Sequence, residues 1–265
     1  MMFERCQWKY KRTIIDKVSQ PESAIMQFGT IYHEDRNDLV NKIKEEKLTD
    51  NYEENYNYIR NLLPEGDDEI HNSIAKAEAE RSINVKKTIY KPVYSERKFE
   101  TIFCDPKYFK DYPNMVTANI TDILTEGHIK EFNEVYGIDP VINIHGVTDE
   151  IYRNDDGTYA VFEFKTGSFN SGTSSKIRKE LIFYKFLVSP HLDQPVTRIG
   201  YHYAAKDQYS FEDIKKRSIT SLKNLMYKFF LAHITNKWTF SYYWKFCNEY
   251  CNLNKECRII TNYRR

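Results

Sequence analysis

Three polar side chains in the stretch GVTDEIYRNDDGTYAVFEFKTG, residues 146–167, could do chemistry together: Asp149, Glu163 and Lys165. Two runs of apolar and β-branched residues flank Asn154-Asp155-Asp156-Gly157, a turn sequence that predicts a β-hairpin. Side chains two apart on a strand share a face, so Glu163 and Lys165 point the same way while Phe164 enters the core. In a simple hairpin register Asp149 lies near Glu163 on that face. Two such carboxylates suit a hard divalent ion such as Mg²⁺ or Mn²⁺, and an ammonium beside them can position a water and neutralise phosphate charge. Together they are the parts needed for metal-assisted phosphodiester hydrolysis. An isolated D…E-x-K pattern is more often a cross-strand ion pair on a solvated face, so the surrounding elements decide. A calcium loop is excluded, because its first position falls on Tyr152, which cannot ligate, and its flanks read as strands.

The elements that must hold these residues are legible as periodicities. From Pro21-Glu22-Ser23 a helix is predicted, with Ile25, Phe28, Tyr32, Leu39 and Ile43 at helical spacing. A polar stretch follows and ends in a turn at Leu63-Pro64-Glu65-Gly66, after which DDEIHNSIAKAEAERSI reads as a second helix with acids at its start. From about Lys87 the pattern turns to strand, in TIYKPVYSERKFETIF; residues 105–139 read as an insertion or irregular cap. Beyond the hairpin come a Ser/Gly-rich loop, SFNSGTSS, a helix KIRKELIFYKFLV and a strand VTRIGYHYAA. A long amphipathic helix is then expected from Ser210, with Ser210 as its cap and Glu212 and Asp213 in its first turn. This order predicts an α/β fold with a mixed central β-sheet flanked by helices.

The order G-x-x-D, hairpin, E-x-K-T-G resembles the PD-(D/E)XK nuclease superfamily and, within it, the RecB-like branch. Upstream, Gly29-Thr30-Ile31-Tyr32-His33 looks like that branch's helical G-x-x-x-H motif, and downstream Glu180-Leu181-Ile182-Phe183-Tyr184 matches Q-x-x-x-Y with Glu in place of Gln. Cys6 together with Cys247, Cys251 and Cys257 is similar to the four-cysteine iron–sulfur staple of AddB and Cas-four type exonucleases. The resemblance implies a restriction-endonuclease-like core. Asp149, Glu163, the Phe164 carbonyl and His33 would hold the metal, Lys165 would act on the water or the phosphate, and Glu180 and Tyr184 would face the cleft. It implies a single domain over 1–265: a helical region 21–85, a catalytic sheet core 87–205, and a C-terminal cysteine segment 240–265 paired with Cys6. The implied activity is Mn²⁺- or Mg²⁺-dependent cleavage of DNA, as an exonuclease on single strands or ends, with partners in recombination, repair or CRISPR adaptation. An imidazole ligand would tilt the site toward Mn²⁺. His33 is not part of a zincin motif, since Asn37 stands where the second His would be. The rival expectation is a DNA-end-binding or assembly subunit that keeps the fold without catalysis; an RNA-directed nuclease is a third.

The cysteine spacing C-x₃-C-x₅-C plus a distant Cys6 admits a [4Fe–4S] cluster, a structural zinc, or thiols without metal. The resemblance favours the first, as a closure between Cys6 and the C-terminal segment. Cys104 reads as a small buried strand residue. Lys176, Arg178 and Lys179 at the start of one helix, and Lys215, Lys216 and Arg217 in another cluster, are candidates for DNA-backbone contact. Over 265 residues the formal charge is only +1, which argues against a uniformly basic nucleic-acid binder but allows a basic groove beside an acidic site. With 21 Tyr and 16 Phe the composition is that of a folded chain. MMFERCQWKYKR carries no apolar signal region and no apolar run reaches the ~18 residues of a spanning helix, so a soluble cytoplasmic protein is expected.

Overall fold

The computed structural model describes residues 6–18, 24–65, 68–84, 92–165, 171–203 and 208–239, together with Cys251, Leu253 and Cys257. The chain divides into two compact units, one of residues 24–224 and one formed by residues 1–23 with 225–265.

In the larger unit α/β architecture is built as expected. Helices α2 (Ala24–Lys42), α3 (Tyr52–Arg60) and α4 (Asp68–Asn84) share a core that includes Tyr32, Leu39, Ile43, Ile59 and Ile74; α1 (Gln7–Tyr10) belongs to the smaller unit. Helix α3 lies in the polar stretch where no element was expected; it is started by Asn51, whose side chain accepts from the N–H groups of Glu53 and Glu54. The sheet strands are β1 (Tyr94–Cys104), β2 (Val116–Asn119), β3 (Ile142–Arg153), β4 (Tyr159–Lys165), β5 (Val196–Tyr203) and β6 (Gln208–Asp213). Among the described residues they form one mixed six-stranded sheet in the order β2-β1-β3-β4-β5-β6. β1–β2 and β4–β5 are parallel and the other neighbours antiparallel.

The region 105–139 is ordered rather than irregular: it supplies edge strand β2 and helix α5 (Glu126–Tyr136). Thr125 caps α5 reciprocally with His128, and Gly137 ends it at φ 64°, a left-handed conformation that glycine adopts without steric cost. The hairpin turn sits at Asn154–Gly157, where Asn154 N–H donates to the Thr158 carbonyl at 2.8 Å and Gly157 takes φ 84°. Helix α6 (Ser171–Val188) supplies the crossover that a parallel β4–β5 pair needs. It begins at Ser171, so SGTSS, expected as loop, is helical, and Lys176, Arg178 and Lys179 lie beyond its first turn rather than at its N-terminus.

The last helix, α7 (Lys216–Thr235), begins later than expected. Ser210, Glu212 and Asp213 lie in strand β6, paired with Tyr201, Ile199 and Arg198 of β5. The alternation Ser210-Phe211-Glu212 explains the difference: Phe211 packs on the Tyr152–Phe162–Phe164 cluster, and Glu212 accepts a charge-assisted hydrogen bond from Arg178. Two-residue periodicity there outweighs a plausible helix cap. Among the described residues no helix is long and apolar enough to cross a membrane.

Candidate metal centre

Register places the hairpin acids together. Glu150 pairs with Phe162 and Ile151 with Val161, which sets Asp149 beside the Glu163–Phe164 peptide. Asp149 Oδ2 accepts the Phe164 N–H at 2.7 Å. The contact from Phe164 is thus through its amide. Its ring is buried at 1% exposure on the opposite face, as two-residue alternation requires. Glu163 Oε1 accepts from Lys165 Nζ, while its Oε2 is buried without a hydrogen-bond partner. A buried carboxylate oxygen left unpaired is an acceptor held ready for an ion or a water.

His33 joins this face from α2. One ligating atom each from His33, Glu96 and Asp149 lie within 4.8 Å of one another, the group of this kind found among the described residues. His33 Nδ1 stands 3.4 Å from Glu96 Oε1. Glu96 was missed in the sequence. On β1, Ser95 pairs with Glu150 and Arg97 with Thr148, so Glu96 comes opposite Asp149. It does so at φ 47°, a left-handed conformation unusual in a strand and costly for a residue with a Cβ. Beside it the Ser95 hydroxyl donates to Asn37 Oδ1 at 2.6 Å, tying β1 to α2 one turn past His33. The one local signal was the acid in YSER, which nothing in the periodicity separates from an ordinary exposed strand residue.

Burial acts on these acids against their charge. Asp149 is pushed up to about 6 by desolvation, with His33, the Phe164 N–H and Lys165 pulling it back and Glu96 adding to the rise. Glu163 is pushed well above the ordinary carboxylate range, first by desolvation and then by the Asp149 carboxylate. Lys165 loses solvation too, but Glu163 and Glu180 outweigh that and hold its ammonium above the usual lysine range. One imidazole and two carboxylates around a point, with a third buried carboxylate next to it, fit a divalent cation: it would relieve the repulsion that burial creates.

The downstream motif also reaches this face. Glu180 Oε2 lies 3.8 Å from Lys165 Nζ, so the Glu that replaces Gln is a second anionic partner for the lysine. The Arg178 guanidinium meets Glu212 through Nε. Tyr184, half-buried, has its phenol pushed up by burial and by the charges of Glu163 and Glu180, which puts it in the field of the same acids. Gly146, the glycine of G-x-x-D, lies where a Cβ would stand 3.1 Å from Leu187 Cδ2 and 3.5 Å from Tyr184 Cε1. Its missing side chain lets α6 pack closely over β3.

In the smaller unit, Cys6, Trp8 and Leu253 form a buried cluster, with Cys251 and Cys257 packed against it. Cys6 caps α1, its Sγ accepting the Lys9 N–H at 3.4 Å. The Trp8 backbone N–H donates to the Thr239 carbonyl, and Tyr10 stacks on Trp238 and meets Phe229 edge-on, so the N-terminal and C-terminal segments meet within this unit. Three of the four expected cluster ligands thus pack in one apolar neighbourhood without forming a metal-ligand group among the described residues; Cys247 lies outside the described residues. Cys104 ends β1 fully buried, as expected. Lys215, Lys216 and Arg217 are exposed. Neither the family models nor the curated proteins compared with this chain contain a match.

Proposed function

We propose that the chain is a metal-dependent nuclease that hydrolyses phosphodiester bonds of DNA, acting as an exonuclease on single strands or ends. The observation that carries this reading is the juxtaposition of the His33–Glu96–Asp149 group with the Glu163–Lys165 pair across β3 and β4. The motif order that resembles the RecB-like branch supports it. His33, Glu96 and Asp149 would hold a Mn²⁺ or Mg²⁺ ion, with Glu163 Oε2 as the further donor; when bound, the ion would polarise a phosphoryl oxygen and acidify water. Lys165, kept protonated by Glu163 and Glu180, cannot serve as the base; it donates hydrogen bonds to the phosphate and offsets the charge that develops there. Glu163 orients that ammonium through Oε1. Glu180 confines it from the other side.

The cysteine set is proposed to carry a [4Fe–4S] cluster that staples the two segments of the smaller unit. Cytoplasmic DNA-processing partners belong to the same proposal.

Anaerobically purified protein incubated with labelled single- and double-stranded DNA in Mn²⁺, Mg²⁺ or chelator tests the activity. Metal-dependent loss of label by wild type and its absence in Lys165→Ala is expected. Equal degradation by both would sink the assignment, and no degradation by either would favour the non-catalytic DNA-binding alternative. Iron stoichiometry and visible absorption that disappear in Cys251→Ser test the cluster; stoichiometric zinc in colourless protein would overturn it.

A further inference from the structure

The residues next to the candidate ligands point to the other face of the sheet, and there they meet a closed ring of buried charges. Arg36 Nε donates to Glu78 Oε1 at 2.6 Å and Arg36 Nη1 to Glu150 Oε1 at 2.9 Å. Arg81 donates to Glu78 Oε2 through Nε at 3.0 Å and Nη2 at 2.8 Å, and through Nη1 to the Tyr152 hydroxyl. That hydroxyl in turn donates to Glu150 Oε2 and closes the ring. Every member is at most 3% exposed. Two guanidinium groups and two carboxylates balance, so the ring is neutral as a whole.

Such a network is a poor source of stability, because desolvating ions offsets most of their attraction and apolar substitutes often do as well. What it supplies is direction, since hydrogen bonds fix a register that apolar packing leaves free to slide. Here the register concerns the metal centre. Arg36 follows His33 by three residues on α2, so the two lie on neighbouring turns. Glu150 follows Asp149 on β3. Phe164 stands between Glu163 and Lys165 on β4, and the Arg36 guanidinium carbon lies 3.2 Å from its ring centroid. One buried side chain thus touches the immediate neighbours of Asp149, Glu163 and Lys165 while sitting beside His33 in sequence.

We propose that Arg36 is a positioning residue for the metal centre: keyed to Glu150 and Phe164, and braced by Glu78 and Arg81 of α4, it sets where His33 stands relative to Asp149. The inference rests on the reading of His33, Glu96 and Asp149 as metal ligands. Arg36→Lys keeps the charge but cannot bridge two carboxylates and stack on a ring at once. Arg36→Met with Glu78→Gln removes one charge of each sign and guards against a fold lost to an unpaired buried ion.

The experiment is Mn²⁺ titration of the full-length protein by electron paramagnetic resonance, with melting temperature recorded in parallel. Wild type should bind, Asp149→Asn and His33→Ala should bind at least about tenfold more weakly, and the folded Arg36 variants should lose about 10–100-fold. In a His33→Ala background Arg36→Lys should cause no further loss, the non-additivity expected if one acts through the other. A merely structural role would lower melting temperature and leave Mn²⁺ affinity alone. Unchanged affinity in both Arg36 variants, or losses that add in the double variant, would overturn the positioning role alone. Wild-type binding indifferent to Asp149→Asn would overturn the metal centre and the positioning role with it.

Discussion

Asp149→Asn is expected to stabilise the metal-free protein at neutral pH while weakening its response to metal. In the folded state burial lifts the Asp149 carboxyl to about 6, against about 3.9 in an unfolded chain. Below about pH 4 both states carry the proton and the charge makes no difference. Between about pH 4 and pH 6 only the folded state holds it, so wild-type stability falls as pH rises; above that the full penalty is present. About two pH units at 1.36 kcal/mol each gives a cost of up to ~3 kcal/mol at pH 7.5. Asparagine keeps an oxygen to accept the Phe164 N–H, which now donates at 2.7 Å, and it removes the charge that raises Glu163. Thermal melts in chelator should therefore show the variant about 6–12 °C above wild type at pH 7.5, on the scale of 2–4 °C per kcal/mol for domains of this size. At pH 4 the gap should close. Mn²⁺ at a hundred times its wild-type Kd should narrow the gap, because it then adds about 2.7 kcal/mol to wild type and less to a variant that binds at least about tenfold more weakly. A variant that melts at or below wild type at pH 7.5 in chelator, or a gap that persists at pH 4, would refute the electrostatic reading of the site.

Glu96 carries a similar conflict in its backbone. Glu96→Gly should relieve the φ 47° conformation and stabilise the metal-free protein by roughly 1 kcal/mol, while Mn²⁺ titration shows affinity falling at least about tenfold. Glu180→Gln removes the more distant of the two anions flanking Lys165; single-turnover DNA cleavage should fall less than about tenfold, against about 10²–10³ for Lys165→Ala. A Cβ at Gly200 would stand 2.4 Å from Phe162 Cδ2 and 2.7 Å from Phe211 Cδ2. Gly200→Ala should accordingly cost about 1–3 kcal/mol in denaturant unfolding, with Mn²⁺ affinity unchanged if the damage stays on the face away from the ligands.

The parts of the site that sequence made legible are those governed by local periodicity. Asp149, Glu163 and Lys165 could be placed on one face because a strand alternates every residue and the Asn154–Gly157 turn fixes the pairing. His33 and Tyr184 came from the resemblance rather than from the pattern. Strand β6 was misread because Ser210, Glu212 and Asp213 mimic a helix start, and only the residues they meet, Phe162 on β4 and Arg178 on α6, show that Phe211 and Glu212 alternate. Helix α5 went unread even though its stop was visible in Gly137, since Thr125 with His128 is a less familiar cap than Thr with Glu.

What stayed hidden depends on contacts far apart in the chain. Arg36 is 42 residues from Glu78 and 114 from Glu150, and Arg81 is 71 from Tyr152. No window of sequence contains both members of any of these pairs. Yet the same alternation that displays Asp149 forces its neighbour Glu150 to the other face, where a charge must find a partner or be neutralised. The run Asp149-Glu150 in a strand therefore carries two demands at once: an acid on each face, one beside Glu163 and one in the interior. Helix α2 meets both, His33 reaching the first and Arg36 the second. A helix that answers two adjacent acids of one strand with two residues three apart is held in rotation as well as in translation. That constraint is what a ligand set drawn from a helix and two strands requires.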